Sequence, residues 1–339
     1  MSSTATAMPA HRQEEGAPEM GAFALPAPAE ALRRLAGCIG SGPIARRGVS
    51  LLRRAALLGR ADPVDAEVFA SGRGRGVWAR LHPRDNLSEK RAFAGTQFWD
   101  AAERQALTTA IAAHQGPAPF VFVDAGANAG LYSLAAIAAA ERAGKALCVV
   151  AIEPEPETVA RLSFNLAAAA RRTVEATVIE AAVAAAPGRL VISTPGRNRG
   201  EVRASVNGTG RGVEALPLLE VTTRAGLERI DALKIDIEGM EAPVLSAFLA
   251  AAPPALHPRL VILEALPQPA RATGEGRTET AALALLREAG YSVAGRTRLN
   301  AILRRAPRPM SGAGEDDDMQ GAARAAGRAA ADAGADLGG

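Results

Sequence analysis

The periodic pattern of apolar and polar positions in the middle of the chain is missing at both of its ends. Residues 1–28 and 307–339 show no apolar periodicity. The first segment is rich in small, polar and proline residues, and the second is an acidic tail with many alanines and glycines. Such segments hold too little large apolar surface to offset the entropy of ordering. We therefore predict that both ends are disordered.

From Phe120 onward, apolar runs alternate with stretches of helical periodicity. Apolar runs without internal alternation indicate strands covered on both faces, which is typical of a parallel sheet between helix layers. The predicted strands are 120–124, 146–152, 176–181, 232–236, 259–264, 291–294 and 301–304, and the predicted helices are 130–143, 157–170, 240–250 and 278–289. The fold class is therefore α/β, and residues 116–306 form the main domain.

Residues 29–115 are predicted to form an N-terminal extension of helices and strands. Its first half contains two short leucine-bearing pieces with three pairs of adjacent arginines, Arg33 and Arg34, Arg46 and Arg47, Arg53 and Arg54. This basic amphipathic character permits a role at a membrane surface. The reading that we favour is a helical pair that packs on the core and leaves its arginines in solvent. A strand pair and a helix are predicted within residues 65–110.

The segment FVFVDAGANAGLYSL places an acid and two glycines where the first predicted strand meets the first predicted helix of the main domain. Asp124 ends the strand, and ligands of such sheets bind outside the carboxyl ends of the strands. Gly126 permits a positive φ angle or a close backbone approach, and Gly130 lets the helix begin tightly against the strand. We predict that this turn brings bare backbone against a ligand.

The spacing of the glycines and a second acid indicate which ligand that is. The dinucleotide fingerprint has three glycines, whereas here three residues separate Gly126 and Gly130 and an acid precedes them. Glu153 ends the second predicted strand, and a carboxylate there can accept both hydroxyls of a ribose. The pattern fits S-adenosylmethionine, and a nicotinamide-dependent oxidoreductase is the alternative. In the alternative without a ligand, Asp124 caps the helix and Glu153 is a surface acid.

A second group of ionisable residues lies in the segment LKIDIEGMEAPVL. Strand alternation puts Lys234, Asp236 and Glu238 on one face if the chain stays extended through them. Such groups could shift one another's pKa values or hold a cation. The alternative is a surface ion pair followed by acids, including Glu241, that the start of a helix favours.

Four segments in this order, VDAGANAGLYSL, AIEPEPETVARLSFNL, LKIDIEGMEAPVL and LVILEA, resemble the FkbM-type S-adenosylmethionine-dependent methyltransferases. The resemblance implies a class I methyltransferase sheet, which is Rossmann-like, and usually O-methylation of hydroxyls on sugars, glycans or polyketide-like products. It also implies that the cofactor site is lined by Asp124, Gly126, Asn128, Gly130 and Glu153, and that the acceptor is faced by Asp236 and Glu238. One departure is the segment VIEAAVAAAPG, where alanines follow Glu180 and leave no Asp or Asn to read the adenine amino group. Backbone groups would then take that role.

The resemblance leads us to expect a methyltransferase that acts on a small-molecule or glycan acceptor. Asp236 or Glu238 would act as the general base, or both would hold a divalent cation such as Mg²⁺ that lowers the pKa of the acceptor hydroxyl. The sequence leaves three histidines as alternative bases: His82, His114 and His257. A methyltransferase-like domain that binds without catalysis, serving as a scaffold, is the other alternative.

Composition limits the partners and the compartment. The 39 Lys and Arg residues against 36 Asp and Glu give a net charge of only +3, and aromatic residues are few, so nucleic acid is not an expected partner. The first residues lack the pattern of a signal peptide, and no apolar stretch is long enough to span a bilayer. The two cysteines, Cys38 and Cys148, have no metal-site spacing. We expect a soluble cytoplasmic protein without an integral membrane segment.

Overall fold

The computed structural model describes residues 18–40, 42–70, 76–193, 203–205, 211–265 and 280–306. The N-terminal part contains α1 (Ala27–Cys38), α2 (Pro43–Ala56), β1 (Val64–Val68), β2 (Val77–Leu81), α3 (Leu87–Ala94) and α4 (Ala101–Ala112). There follow β3 (Phe120–Ala125), α5 (Leu131–Ala143), β4 (Leu147–Glu153), α6 (Pro156–Ala168), β5 (Val174–Glu180), β6 (Ala182–Ala184), β7 (Gly188–Ser193), β8 (Arg203–Ser205) and β9 (Arg211–Pro217). The last elements are α7 (Leu218–Arg224), β10 (Ala232–Ile235), α8 (Glu241–Ala251), β11 (Leu260–Glu264), α9 (Ala281–Glu288), β12 (Tyr291–Arg296) and β13 (Asn300–Arg305). The predicted disordered segment 307–339 lies outside the described residues, as do residues 1–17.

The main sheet has seven strands in the order β12-β13-β11-β10-β3-β4-β5. The strands from β11 to β5 run parallel, and β13 is antiparallel to both β11 and β12. The chain builds outward from β3 to β5 and then returns to β10 on the other side of β3, so the strand order reverses between β3 and β10. Every predicted strand of the main domain is present, and the ends differ from the prediction by at most three residues. The predicted α/β class with a mostly parallel sheet is confirmed.

Helices cover both faces of this sheet, as the continuous apolar strands predicted. Phe122 faces the core formed with α4, α5 and α6, while the next residue, Val123, faces the core formed with α7, α8 and α9. The β1–β2 hairpin packs on the first of these cores. Within the described ranges, no helix is long and apolar enough to cross a membrane.

A second sheet, with the order β6-β9-β7-β8, lies in the chain between β5 and β10. The sequence analysis did not predict it. Its strands are short, and β7 and β9 bury only some of their positions, so they lack the continuous apolar runs that marked the main sheet. A small core of six residues holds this sheet together, formed by Ala182, Ala184, Leu190, Ile192, Val213 and Ala215.

The N-terminal extension contains the predicted helical pair, α1 and α2, and the predicted strand pair, β1 and β2. Arg80 of β2 forms a buried ion pair with Asp65 of β1 at 2.8 Å, and its guanidinium also donates to the backbone oxygens of Pro18 and Glu19. The Asp65 carboxylate in turn accepts from the backbone N–H groups of Gly21 and Phe23. The prediction of disorder up to residue 28 is therefore wrong for residues 18–28, because polar main-chain contacts, and not apolar surface, fix the start of this segment.

Candidate active site

A cavity of about 230 Å³ opens at the carboxyl ends of β3, β4, β10 and β11, at the place where the strand order reverses. The α/β architecture predicts a ligand site at this position. The wall contains the turn after β3 and several acidic residues, some at the ends of strands and some in loops. Among the residues that line it are Asn86, Arg91, Trp99, Asp100, Gly126, Ala127, Asn128, Tyr132, Glu153, Ala181, Ala182, Val183, Lys234, Asp236, Glu238, Glu264 and Asn300.

The two glycines of the turn serve close packing of the chain. Gly126 has φ +75°, and a Cβ atom there would lie 1.9 Å from the backbone oxygen of Asp236. Gly130 has φ +86°, and a Cβ atom there would lie 2.6 Å from Cδ1 of Leu162 on α6. The sequence analysis expected a ligand to occupy the space beside this turn. In the structure the end of β10 fills the space beside Gly126, which still lines the cavity, whereas α6 fills the space beside Gly130, which does not line it.

Asn128 and Glu153, which the resemblance assigned to the cofactor site, lie in contact on the cavity wall. Asn128 has φ 52°, a left-handed conformation that asparagine tolerates better than most residues. Its backbone N–H donates to Oε2 of Glu153 at 2.9 Å, and the N–H of Glu155 donates to Oε1 at 3.2 Å. The Asn128 side-chain oxygen accepts from the side-chain amide of Asn86 at 2.7 Å, so α3 is fixed to the turn. Asn86 had no recognisable signal in the sequence.

The carboxyl group of Glu153 is only 4% exposed. Burial raises its pKa to about 7, against the opposing effect of the N–H groups of Glu155 and Asn128. Each carboxyl oxygen accepts one backbone N–H and keeps a further lone pair. The group therefore has the remaining acceptor capacity that a vicinal diol requires.

Asp124 does not line the cavity, although the resemblance placed it there. It is fully buried, and Oδ2 accepts hydrogen bonds from the backbone N–H of Ser133 at 3.1 Å and from its hydroxyl at 2.7 Å. Burial raises the pKa of Asp124. Strand pairing places Asp124 opposite Lys234 of β10. Asp124 thus holds α5 and supports Lys234 from behind the wall, and direct contact with a cofactor stays a prediction.

Lys234 connects the turn after β3 with the acids of the second group. Its ammonium donates to the backbone oxygen of Gly126 at 2.8 Å and lies 3.2 Å from Oδ2 of Asp236. Burial lowers the pKa of Lys234, but the negative charges of Asp236 and Asp124 outweigh that effect and raise it. The lysine therefore remains charged inside the wall.

Glu264, at the end of β11, is a site residue that the sequence analysis did not single out. Burial, followed by the negative charge of the neighbouring Asp236, raises the pKa of Glu264 to about 9. The carboxyl group is therefore protonated at neutral pH and hydrogen-bonded to Asp236. A signal was available, because Glu264 ends a predicted strand and ligands bind at such ends.

The predicted alignment of Lys234, Asp236 and Glu238 on one extended face is wrong. β10 ends at Ile235, and Glu238 has φ 56°, so the chain turns before it reaches Glu238. Glu238 nevertheless lines the cavity. Glu241 closes this turn, because its Oε1 accepts from the backbone N–H groups of Ile237 at 2.9 Å and Gly239 at 3.3 Å. Glu241 is thus a helix-start acid, as one alternative had it.

Tyr132 and Asp100 form a further polar contact in the wall. The Tyr132 hydroxyl donates to Oδ2 of Asp100 at 2.9 Å, and the Lys234 ammonium lies 5.5 Å from the centre of the tyrosine ring. Burial and the charge of Asp100 raise the pKa of Tyr132 well above its usual value, so the phenol stays protonated. Sequence patterns gave no signal for Asp100, because it precedes α4 in the extension, far along the chain from the sheet motifs.

The alternative bases do not reach this wall. None of His82, His114 and His257 lines the cavity; His114 and His257 contact backbone oxygens elsewhere, and His82 lies 3.6 Å from Glu89. In the described part of the chain, no group of three His, Cys, Asp or Glu side chains is arranged to hold a metal ion. At the end of β5 the cavity is lined by Ala181, Ala182 and Val183. These residues offer an apolar surface and backbone groups, as the sequence predicted for this edge.

The strand order, with β13 inserted antiparallel between β11 and β12, and a strand-end acid after a glycine-containing turn define a class I methyltransferase fold. The FkbM methyltransferase domain family matches residues 124–293, which is half of the chain. The chain belongs to this family. The predicted resemblance to FkbM methyltransferases is confirmed.

The solved structures that are similar to this chain are distant from it in sequence. The FkbM methyltransferase from Methylobacillus flagellatus KT is 15% identical with a TM-score of 0.35, and the match covers 65% of this chain and 54%, about half, of that one. The precorrin-6y C5,15-methyltransferase from Geobacter metallireducens GS-15 is 15% identical with a TM-score of 0.34, covering 59% and 85%. M. jannaschii TYW2 in complex with AdoMet is 10% identical with a TM-score of 0.34, covering 74% and 89%. Comparison with curated protein sequences gives no match.

Proposed function

We propose that the protein transfers a methyl group from S-adenosylmethionine to a hydroxyl oxygen of a small-molecule or glycan acceptor, with Asp236 as the proton acceptor. One observation carries this proposal. The Asp236 side chain lies on the cavity wall and remains 39% exposed while the buried Lys234 ammonium and the Glu264 carboxyl group contact it. A carboxylate that is held on two sides and open on the third is suited to receive a proton from a bound molecule.

The residues at the β3 and β4 ends fit the cofactor. The free lone pairs of Glu153 suit the two hydroxyls of its ribose, and the backbone of Gly126, Ala127 and Asn128 borders the same part of the cavity. The apolar surface at the end of β5 suits the flat face of its adenine. When bound, S-adenosylmethionine supplies a methyl group activated by the sulfonium charge.

The chain's own task is then to position the acceptor and to remove one proton. The acceptor hydroxyl would lose its proton to the Asp236 carboxylate as its oxygen forms the bond to the methyl carbon, while the bond from sulfur to methyl breaks and S-adenosylhomocysteine leaves. The positive charge of Lys234 keeps Asp236 in one place through the 3.2 Å contact. Glu264, protonated at neutral pH, serves as the hydrogen-bond partner of Asp236.

The acceptor side of the cavity is rich in hydrogen-bond acceptors. Asp100, Asp236 and Glu238 lie there with the amide side chain of Asn300. Such a wall favours an acceptor with several hydroxyl donors and disfavours a phosphorylated one, because phosphate would meet carboxylates. A polyhydroxylated molecule such as a sugar or a glycan end suits this surface best.

The experiment that tests the proposal has two stages. Calorimetry is expected to show that S-adenosylmethionine and S-adenosylhomocysteine bind while NAD does not. Cell extract incubated with the protein and isotopically labelled methyl donor is then expected to yield a labelled product whose methyl group resists mild base, as an ether does and an ester does not.

Other outcomes lead to other functions. Binding of NAD without binding of the methyl donor would restore the oxidoreductase alternative. Donor binding without any labelled product across extracts would support the non-catalytic alternative. Loss of activity in a chelator with recovery in Mg²⁺ would assign the deprotonation to a metal-bound hydroxyl, whereas indifference to the chelator supports direct base catalysis by Asp236.

A further inference from the structure

Helix α2 has an inner face that fixes it to the protein. Val49 is buried against Ala36 of α1 and Ala94 of α3 in a small apolar cluster, and Ala56 at the end of the helix joins the main core. Leu52 and Phe98 pack on the same small cluster. These contacts fix the orientation of the helix, so the side opposite Val49 and Ala56 faces solvent.

The outer face of α2 presents a row of aliphatic side chains to solvent. Ile44, Leu51 and Leu58 are spaced seven residues apart and are 86%, 66% and 83% exposed. Residues seven apart lie on one side of a helix, and Leu58 follows directly in the turn that ends α2. Single exposed leucines are common on protein surfaces, but three large ones in one row mark an interaction surface.

This row is flanked by arginines, three of which form no ion pair within the described residues. The stretch 43–61 contains five arginines, Arg46, Arg47, Arg53, Arg54 and Arg60, and no acidic residue. Across the residues that the structure describes, no carboxylate forms an ion pair with Arg46, Arg47 or Arg54. The pKa of the nearby Lys90 is lowered by burial and by the charges of Arg53 and Arg54. The surface therefore carries an excess of positive charge, even though the whole chain is nearly neutral.

We propose that the outer face of α2, formed by Ile44, Arg47, Leu51, Arg54 and Leu58, docks onto an anionic lipid bilayer. Aliphatic side chains on an interfacial helix enter the boundary between headgroups and acyl chains, while arginines beside them reach anionic headgroups. Nucleic acid would be recognised by charge with polar or aromatic groups, and it would gain nothing from three exposed aliphatic residues. The sequence analysis favoured a helical pair that packs on the core and leaves its arginines in solvent. That interpretation accounts for the buried inner face of the pair, but it does not explain the exposed aliphatic row.

The helix that carries the docking face packs on a helix of the cavity wall. α2 contacts α3, and α3 with the residue before it contributes Asn86, Leu87, Ser88 and Arg91 to the cavity wall. The Asn86 side chain also caps α3, accepting from the N–H groups of Ser88 and Glu89. One helix, α3, therefore lies between α2 and the cavity.

The test is sedimentation of the full chain with vesicles of neutral phosphatidylcholine, with and without roughly one third phosphatidylglycerol. We expect binding to the anionic vesicles only, weakening as salt is raised. Arg47→Gln with Arg54→Gln should weaken it about 25-fold, taking about fivefold for each arginine near the surface. Ile44→Gln with Leu51→Gln should weaken it at least tenfold through lost apolar burial. Arg259→Gln with Arg287→Gln removes the same charge elsewhere and should change nothing, and Arg47→Lys with Arg54→Lys should retain most binding.

Melting temperatures of all variants should stay unchanged, because the replaced side chains are exposed and Gln is compatible with a helix. The proposal is overturned if the wild-type chain ignores anionic vesicles, or if the arginine and aliphatic variants bind as the wild type does. Binding to duplex DNA that falls with the arginine variant but not with the aliphatic variant would assign the face to nucleic acid instead. A wild-type dimer that the aliphatic variant converts to a monomer would assign it to a second copy of the chain.

Discussion

The ammonium group of Lys234 lies 3.2 Å from Asp236 and is at the same time hydrogen-bonded to the backbone oxygen of Gly126. One buried cation therefore connects the turn after β3 with the Asp236 carboxylate on the cavity wall. Asp124, its fully buried partner in the strand register, adds a second negative charge behind it. Both acids therefore interact electrostatically with this single lysine.

Replacement of Lys234 by methionine should destabilise the fold by about 3–5 kcal/mol, because it leaves Asp124 and Asp236 without their common counter-ion. Urea unfolding monitored by circular dichroism measures the change. Lys145→Met, at a half-buried position beyond the end of α5, is the matched control and should cost less than 1 kcal/mol. A Lys234 variant as stable as the control would show that the ion pair is energetically neutral.

Asp236→Asn should retain binding of the methyl donor while turnover falls by roughly 10²–10⁴, the usual range for removal of a general base. Asparagine keeps the shape of the side chain but cannot take the proton. Turnover with the true acceptor and calorimetry with the donor measure the two effects separately. Glu238→Gln is the comparison: if it alone abolishes turnover while Asp236→Asn remains active, the roles of the two acids are reversed.

Glu153→Gln should weaken S-adenosylmethionine binding by roughly 1.5–3 kcal/mol, since charge-assisted hydrogen bonds to the ribose are lost. Isothermal titration calorimetry near pH 8 is the appropriate measurement, because the wild-type carboxyl group is then largely ionised. Glu157→Gln, on the first turn of α6 and largely exposed, removes a neighbouring acid and should leave the affinity unchanged. Equal affinity of the two variants would remove Glu153 from the cofactor site.

The raised pKa of Glu153 also predicts how stability depends on pH. Its pKa is about 7 in the folded chain and near 4.5 when exposed, so folding favours the protonated form. This contribution is fully present below pH 4.5 and is lost as the pH rises through 7. Between pH 5 and pH 8 the wild type should therefore lose on the order of 2 kcal/mol relative to Glu153→Gln. Parallel urea titrations at the two pH values measure the difference, and a constant offset between the two proteins would contradict the raised pKa.

Gly126→Ala should be far more harmful than an alanine at another glycine with positive φ. A Cβ atom at Gly126 would lie 1.9 Å from the Asp236 backbone oxygen, whereas one at Gly144, with φ +62°, would meet nothing within 4 Å. We expect about 1 kcal/mol for Gly144→Ala from backbone strain alone, and at least about 3 kcal/mol for Gly126→Ala. Thermal unfolding of both variants measures the contrast. Similar costs would mean that the end of β10 can shift away from the turn.

The main sheet could be predicted because its strands are buried and therefore consist mostly of apolar residues. β4 and β11 are apolar up to the acid at their last residue, since helices cover both faces of the sheet. Residues 18–28 were not predictable, because the contacts of Arg80 with two backbone oxygens and with Asp65 leave no periodic trace. The second sheet was not predicted because its strands are short and only partly buried, so their sequences resemble those of loops.

The sequence could predict the site residues that lie at the end of a single strand, but it could not predict their partners from distant parts of the chain. Glu153 and Asp236 were found because an acid at a strand end is a local signal. Their partners were harder to find, because Asn86 and Asp100 come from the N-terminal extension and reach the cavity only through tertiary packing. Asp124 was assigned to the wall since it ends β3, but alternation turns its side chain toward α5. The position of a residue along a strand predicts whether it lies at the edge of the sheet. Only the packing of the folded chain shows where its side chain points.

The chain has only three lysines, Lys90, Lys145 and Lys234. Acylating reagents attack an amine only when it is neutral and reaches solvent. Lys90 and Lys145 are partly accessible, but Lys234 is 6% exposed and is held in its charged form by its carboxylate neighbours. The intact protein should therefore be labelled at two lysines and the unfolded protein at all three. Mapping the labelled lysines by mass spectrometry would show whether the centre of the molecule is closed to solvent, without any substrate.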